Sequence, residues 1–181
     1  ETIEVNGDAL LEAAKTLYQF VGNDASRPWT NGMLLRGQSA FATNNVVITE
    51  FWIGTDFPIV VNIPRDALKE MIRVNEAPTH LQMTSNSLTL HYADQRWIRT
   101  QLLPTDWPDL SKILDHACTA QALPEGFFDA IETLKPVADG LGRIYMSKGL
   151  MRTHLEDQTG ALYELDGLEF DGIYNLSMLL L

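Results

Sequence analysis

Apolar residues along this chain change period in a recurring order: a short alternating stretch, a stretch at helical spacing, then several alternating stretches, after which the order begins again. Thr2-Ile3-Glu4-Val5 alternates as a short strand would, and Ala9, Leu10, Ala13, Ala14, Leu17 and Tyr18 then share one helical face, with Asp8 as the expected N-cap. Gly22-Asn23-Asp24 ends that helix. From Gly32 to Pro64 the period is two, and Gly, Asn and Asp residues divide the stretch into an expected meander of about four strands, Met33 to Leu35, Ala40 to Thr43, Val46 to Ile53 and Pro58 to Ile63. Helical spacing returns from Arg65 to Val74, where Ala67, Leu68, Met71 and Ile72 form the apolar stripe and Pro64 stands at the start. Alternation follows once more in His80 to Thr84, Ser87 to Tyr92 and Arg96 to Leu103.

The stretch Leu103 to Leu110, rich in Pro and Asp, reads as a linker and sets an expected domain boundary near Leu114. Beyond it Thr119 to Leu123 reads as a strand and Pro124 to Ala138 as a helix built on Phe127, Phe128, Ile131 and Leu134. Four alternating stretches then run from Gly142 to Leu176, and a last helix begins at Ser177. The expected organisation is a complete domain of two βαβββ halves over residues 1–114, followed by a truncated first half of a second such domain over residues 115–181. This is an α+β class, with repeated βαβββ units whose helices lie on one face of antiparallel sheets.

The chain's 181 residues carry 13 Lys and Arg against 24 Asp and Glu, a net charge of −11. Such a balance ordinarily opposes nucleic-acid binding, although a basic stripe on an acidic body can still follow a phosphate backbone. The terminal apolar run Met178 to Leu181 is far shorter than the roughly 20 residues of a membrane span, so no membrane association is expected. The first residues carry neither the basic stretch nor the apolar core of a secretory leader, which makes the cytoplasm the expected location. A lone cysteine, Cys118, excludes a disulfide framework and a zinc finger and reads as a small buried apolar residue.

Motifs for catalysis are missing from the text. It contains no Gly-rich phosphate loop, no Gly-x-Ser-x-Gly elbow and no His-Glu-x-x-His, and His80, His91, His116 and His154 lack ligand spacing. Glu156 and Asp157, with Glu164 and Asp166 nearby, could hold Mg²⁺ or serve as acid and base, but their place between two strands suits a solvated hairpin turn. Trp29, Trp52, Trp97 and Trp107 could be stacking platforms for single-stranded nucleic acid; Trp97 sits better as sheet packing and Trp107 as a plug at the domain junction. No catalytic residue, metal or cofactor is expected.

Four segments in fixed order carry a resemblance: Asn31 to Leu35, Ala42 to Asn45, Asn62 to Leu68, and Gln101 to Leu110, in which Trp107-Pro108-Asp109 gives an aromatic-Pro-Asp sequence. Together they resemble a domain of the bacterial and phage DNA polymerase sliding clamps, the beta-clamp processivity factors. The likeness covers residues 1 to about 114 best and continues more weakly through Phe127 to Ala138 and Phe170 to Leu176. It implies a DNA-clamp fold, a non-enzymatic role in DNA replication, and a homo-oligomeric ring of six such domains whose helices line a hole for duplex DNA. The location implied is the cytoplasm of a bacterium or phage-infected cell, at the nucleoid.

Arg65, Lys69 and Arg73 fall at i, i+4 and i+8 and share one helical face opposite Leu68, Met71 and Ile72. Lys15 and Lys135 occupy polar faces of the other two helices, so these five cations are the expected contacts to double-stranded DNA, phosphate-directed and sequence-independent. The same residues also fit a merely solvated face, since Asp8, Glu12, Asp66 and Glu70 lie on the same helices. The resemblance implies a second site, an apolar pocket for peptides of DNA polymerases and clamp loaders, at Thr43, Asn44, Asn45, Val46 and Val47 with Leu114 on the linker side. Asn45-Val46-Val47 stands where many bacterial clamps carry Gly-His-Arg, and Val46 and Val47 could equally be plain strand residues. Two rival readings stand beside the encircling clamp: a clamp-fold interaction module that binds or blocks replication proteins without enclosing DNA, and a metal-dependent nucleic-acid enzyme using the acidic turn near Glu156.

Overall fold

Residues 32–64 fold as two long strands, β2 (Gly32–Thr43) and β3 (Ile48–Pro64), where four short ones were expected. The computed structural model describes residues 1–110, 112, 121–155 and 160–180, and the chain divides into two compact units, Glu1–Asp115 and His116–Leu181. β2 and β3 pair antiparallel from Gly32 with Pro64 to Thr43 with Ile48. Their register shifts twice, between Leu35 and Gly37 and between Gly37 and Ser39, so that Ile53 to Asp56 bulge opposite Gln38. Gly37 and Gly54, with φ of 59° and 79°, lie at these creases and bend the hairpin without ending it.

β1 (Thr2–Glu4) and α1 (Gly7–Leu17) open the chain. The N-cap of α1 is Asn6 rather than Asp8: the Asn6 side-chain oxygen accepts from the Ala9 N–H at 3.2 Å, which places Asp8 inside the first turn. α2 (Arg65–Val74) follows β3 directly and closes on Asn75 in the left-handed conformation, φ 54°. Leu10, Ala13, Ala14 and Leu17 of α1 and Ala67, Leu68 and Met71 of α2 pack into one core with Met33, Leu35, Val61 and Ile63. The partners supplied by the second sheet include Leu81, Met83, Leu88 and Leu90.

That sheet has the order β1, β4 (His80–Met83), β5 (Ser87–His91), β6 (Trp97–Gln101), all antiparallel. Its first strand comes from the chain's start, with Ile3 opposite Leu81, so the two halves of this unit are interlocked. Past β6 the chain returns to the β2–β3 hairpin through an antiparallel bridge between Leu103 and Asn62.

The second unit contains α3 (Phe127–Leu134) and a sheet ordered β10, β7, β8, β9, made of β7 (Arg143–Ser147), β8 (Leu150–Arg152), β9 (Leu162–Glu164) and β10 (Gly172–Asn175). A single turn, α4 (Leu176–Leu179), follows. The helix is shorter than Pro124 to Ala138. It begins after Gly126, φ 78°, and continues only as the 3₁₀ turn Lys135–Val137, because Pro136 has no N–H to donate. Gln121 to Leu123 form no strand; all three are exposed, so no buried face pins a register there, and Thr119 and Ala120 lie outside the described residues. Phe127, Ala130, Ile131 and Leu134 pack on Ile144, Met146, Met151, Leu165, Leu168 and Leu176 as a separate core. Among the described residues no helix is long and apolar enough to cross a membrane.

Candidate functional site

The turn joining β2 to β3 is built by its own side chains. The Thr43 hydroxyl donates to the Val47 carbonyl at 2.7 Å and accepts from the Asn45 N–H at 3.1 Å. The Asn44 side-chain oxygen accepts from the N–H groups of Val46 and Val47, each at 3.0 Å. With Asn45 in the left-handed region, φ 70°, these bonds lock the backbone and hold Val46 out into solvent, 77% exposed.

Thr43, Asn45, Val46, Val47 and Ile48 form one wall of a cleft of about 240 Å³, and Trp29, Trp107 and Pro108 form the other. The two indoles meet edge to face, centroids 5.3 Å apart at 61°. Beneath them Leu34, Phe41 and Leu110 make a small apolar cluster with Ile48 and Trp107. Among the described residues no charged side chain lines the cleft, and the buried indole N–H of Trp107 finds no hydrogen-bond partner among them. The volume lies below the roughly 300–1,000 Å³ of small-molecule sites and suits one or two apolar side chains.

Four of the expected peptide-site residues, Thr43, Asn45, Val46 and Val47, therefore come together. Asn44 braces the turn instead of lining the cleft, and Leu114 lies outside the described residues. Pro108 has no place among the expected site residues, while Trp29 and Trp107, expected as possible stacking platforms for single-stranded nucleic acid, line this cleft instead. The aromatic-Pro-Asp sequence marks Trp107 locally, whereas nothing in its neighbourhood joins Trp29 to the turn Thr43 to Val47. Trp97, expected to pack on its sheet, is 62% exposed, and Trp52 is 68% exposed.

The expected DNA-contacting cations of the first unit, Lys15, Arg65, Lys69 and Arg73, lie on two helices in contact with each other, α1 and α2. Lys15 and Lys69 are exposed. The Arg73 guanidinium donates to the Glu70 carboxylate at 2.7 Å, an exposed pair of small energetic weight. Arg65 is half-buried: its guanidinium lies 4.5 Å above the Tyr18 ring and donates to the Val21 carbonyl at 2.6 Å. In the second unit Lys135 begins the 3₁₀ turn after α3, 3.6 Å from the Glu132 carboxylate. Asp8, Glu12, Asp66 and Glu70 equal in number the cations Lys15, Arg65, Lys69 and Arg73 on α1 and α2.

Among the described residues no three His, Cys, Asp or Glu side chains gather as a metal site would require. Glu156 and Asp157 of the acidic turn, and His116 and Cys118, lie outside the described residues.

No protein-family model and no curated protein sequence matches the chain. Solved structures do. The DNA polymerase III subunit beta of Pseudomonas aeruginosa superposes with a TM-score of 0.74 at 15% identity, over 99% of this chain and 55% of that one. The Helicobacter pylori beta clamp gives a TM-score of 0.72 at 16% identity with the same coverage. Another structure of the Helicobacter pylori beta clamp, bound to a DNA ligase peptide, gives 0.72 at 17% identity, again over 99% and 55%. The chain thus spans about half the length of these proteins. Its antiparallel sheets, interlocked halves and paired helices are those of a sliding-clamp-like fold.

Proposed function

We propose that the chain serves DNA replication as a sliding clamp, a processivity factor that encircles duplex DNA and tethers replication proteins by their peptides. The Trp29 and Trp107 cleft carries this reading. It is uncharged, walled by a rigid turn and two indoles, and sized for the apolar side chains of an extended segment. The ligase peptide held by the Helicobacter pylori protein supports the same class of occupant. Peptides of a DNA polymerase and of a clamp loader would dock here in turn, and the loader would open the ring from outside. The role is topological and asks no residue for catalysis.

In this reading Lys15, Arg65, Lys69, Arg73 and Lys135 face phosphates, with Arg65 keeping its remaining N–H groups for that purpose. Such contacts give sequence-independent, salt-sensitive binding, which a ring that slides requires. One observation favours a second reading, that of an interaction module on the clamp fold that does not enclose DNA: acids and bases balance on α1 and α2, and Arg65 and Arg73 already have partners within the chain.

Titrating the protein with the DNA ligase peptide bound by the Helicobacter pylori clamp, read by indole N–H resonances, tests the cleft. Wild type should show shifts at Trp29 and Trp107 that Val46→Asp abolishes; unperturbed indoles at saturating peptide would remove the docking assignment. Retention on closed circular against linearised DNA, in the wild type and in Lys15→Ala/Lys69→Ala/Arg73→Ala, separates the two readings. Retention on circles alone, lost in the triple variant, supports encirclement. No retention with peptide docking intact supports the interaction module.

A further inference from the structure

Asn62 is fully buried, 0% exposed, between Val61 and Ile63 of β3, which are equally buried. A lone amide at such a position must justify its desolvation by the bonds it makes. Its Nδ2 donates to the Trp29 carbonyl at 2.8 Å and to the Pro104 carbonyl at 2.9 Å. Because both partners are acceptors, the orientation of the amide is fixed with nitrogen toward them. Its main chain pairs with Leu34 on β2, and its carbonyl accepts from the Leu103 N–H at 2.9 Å. The remaining polar atom, Oδ1, is buried with no hydrogen-bond partner among the described residues and rests against Gly32, where a Cβ would collide with it.

One side chain therefore ties together the two segments that carry the cleft's aromatic wall. Trp29 sits in the 3₁₀ turn Pro28–Thr30, and Trp107 follows Pro104 by three residues; neither segment belongs to a sheet ladder of its own. We infer that Asn62 is the positioning residue of the cleft: by holding the Trp29 and Pro104 carbonyls on one amide it sets the edge-to-face contact of Trp29 with Trp107 and hence the width of the cleft. Asn62 touches no peptide. It acts through the two indoles, and its importance for binding rests on the docking reading above.

Asn62→Leu keeps the volume and removes both bonds. Near-ultraviolet circular dichroism and the two indole N–H resonances, assigned with Trp29→Phe and Trp107→Phe, read the positioning without any ligand. Met71→Val, a core substitution away from the cleft, serves as the comparison for general loss of stability. The expected result is displaced indole resonances and a weakened near-ultraviolet signal in Asn62→Leu alone, with ligase-peptide binding reduced at least tenfold. Wild-type indole signals in Asn62→Leu overturn the inference. Displaced indoles together with no peptide binding by the wild type leave the positioning role standing and remove the docking reading. If Asn62→Leu fails to fold, the wild type decides. Scalar couplings from the Asn62 side-chain amide to the Trp29 and Pro104 carbonyl carbons support the inference, and rapid exchange of those amide protons without couplings overturns it.

Discussion

Asn6 and Asp8 are two residues apart and chemically alike, yet they carry different weights. Asn6 caps α1 through Ala9, and its amide also donates to the Ile53 carbonyl at 3.3 Å, tying the helix start to the β3 crease. Asn6→Ala is expected to cost about 1 kcal/mol, at least the usual loss for a cap. Asp8→Ala removes only a first-turn charge and is expected to change stability by under about 0.5 kcal/mol. Urea midpoints at constant slope measure both, and a larger loss from Asp8→Ala than from Asn6→Ala would return the cap to Asp8. Sequence pattern favoured Asp8 because it immediately precedes the first apolar repeat. The earlier start, which takes Gly7 and Asp8 into the helix, is admitted by tertiary packing: Gly7 is buried close against Pro78, a contact invisible in local spacing.

Among the elements, alternation located every strand of the first unit but not where strands join. A glycine at positive φ fits a two-residue turn and a bulge equally well, and only the partner strand decides between them. At Gly54 a Cβ would come within 2.9 Å of the Trp52 ring, whereas at Gly37 it would meet nothing within 4 Å. Gly54→Ala should therefore cost more than Gly37→Ala, about 1–2 kcal/mol against about 1 kcal/mol, both set by the left-handed backbone. Thermal midpoints of the two variants check the order, and the reverse order would place the strain elsewhere. The cleft was legible for the same reason and to the same limit: the turn residues Thr43 to Val47 form a continuous signal, while Trp29 joins them through long-range contacts, its carbonyl bond from Asn62 and its ring contact with Trp107.

The turn between α3 and β7 is held by one carboxylate. Asp139 accepts from the Arg143 N–H at 2.9 Å, from the Arg143 guanidinium at 2.9 Å and from the Leu141 N–H at 3.0 Å. The Arg143 backbone bond, aided by the guanidinium and the Leu141 N–H and opposed by desolvation, holds its pKa below the ordinary carboxylate value. A carboxyl depressed in the folded state contributes stability that is present above its unfolded pKa, about 3.9, and lost as pH falls through the folded value. Asp139→Asn should be less stable than wild type at pH 7, with the gap closing as pH falls below about 4. A gap independent of pH would assign the turn to geometry alone.

For the whole molecule the decisive quantity is how charge is shared between helices and the rest of the chain. The net charge is −11, yet α1 and α2 together are neutral, with Asp8, Glu12, Asp66 and Glu70 matched by Lys15, Arg65, Lys69 and Arg73. Neutral helices can still follow a duplex, because flexible lysines and arginines reach phosphates while the shorter Asp side chains stay back, but each exposed acid repels the backbone within about a Debye length of 8–10 Å. If these helices line a DNA channel, removing acids must therefore strengthen retention just as removing bases weakens it. Glu12→Gln with Asp66→Asn is expected to raise the salt concentration at which closed circular DNA releases the protein, while leaving peptide docking unchanged. A partner-binding module without a DNA channel would show no change in either direction. Raised retention on linear as well as circular DNA would mean that the added affinity is surface adsorption, and only a gain confined to circles would identify the helices as the lining of a closed ring.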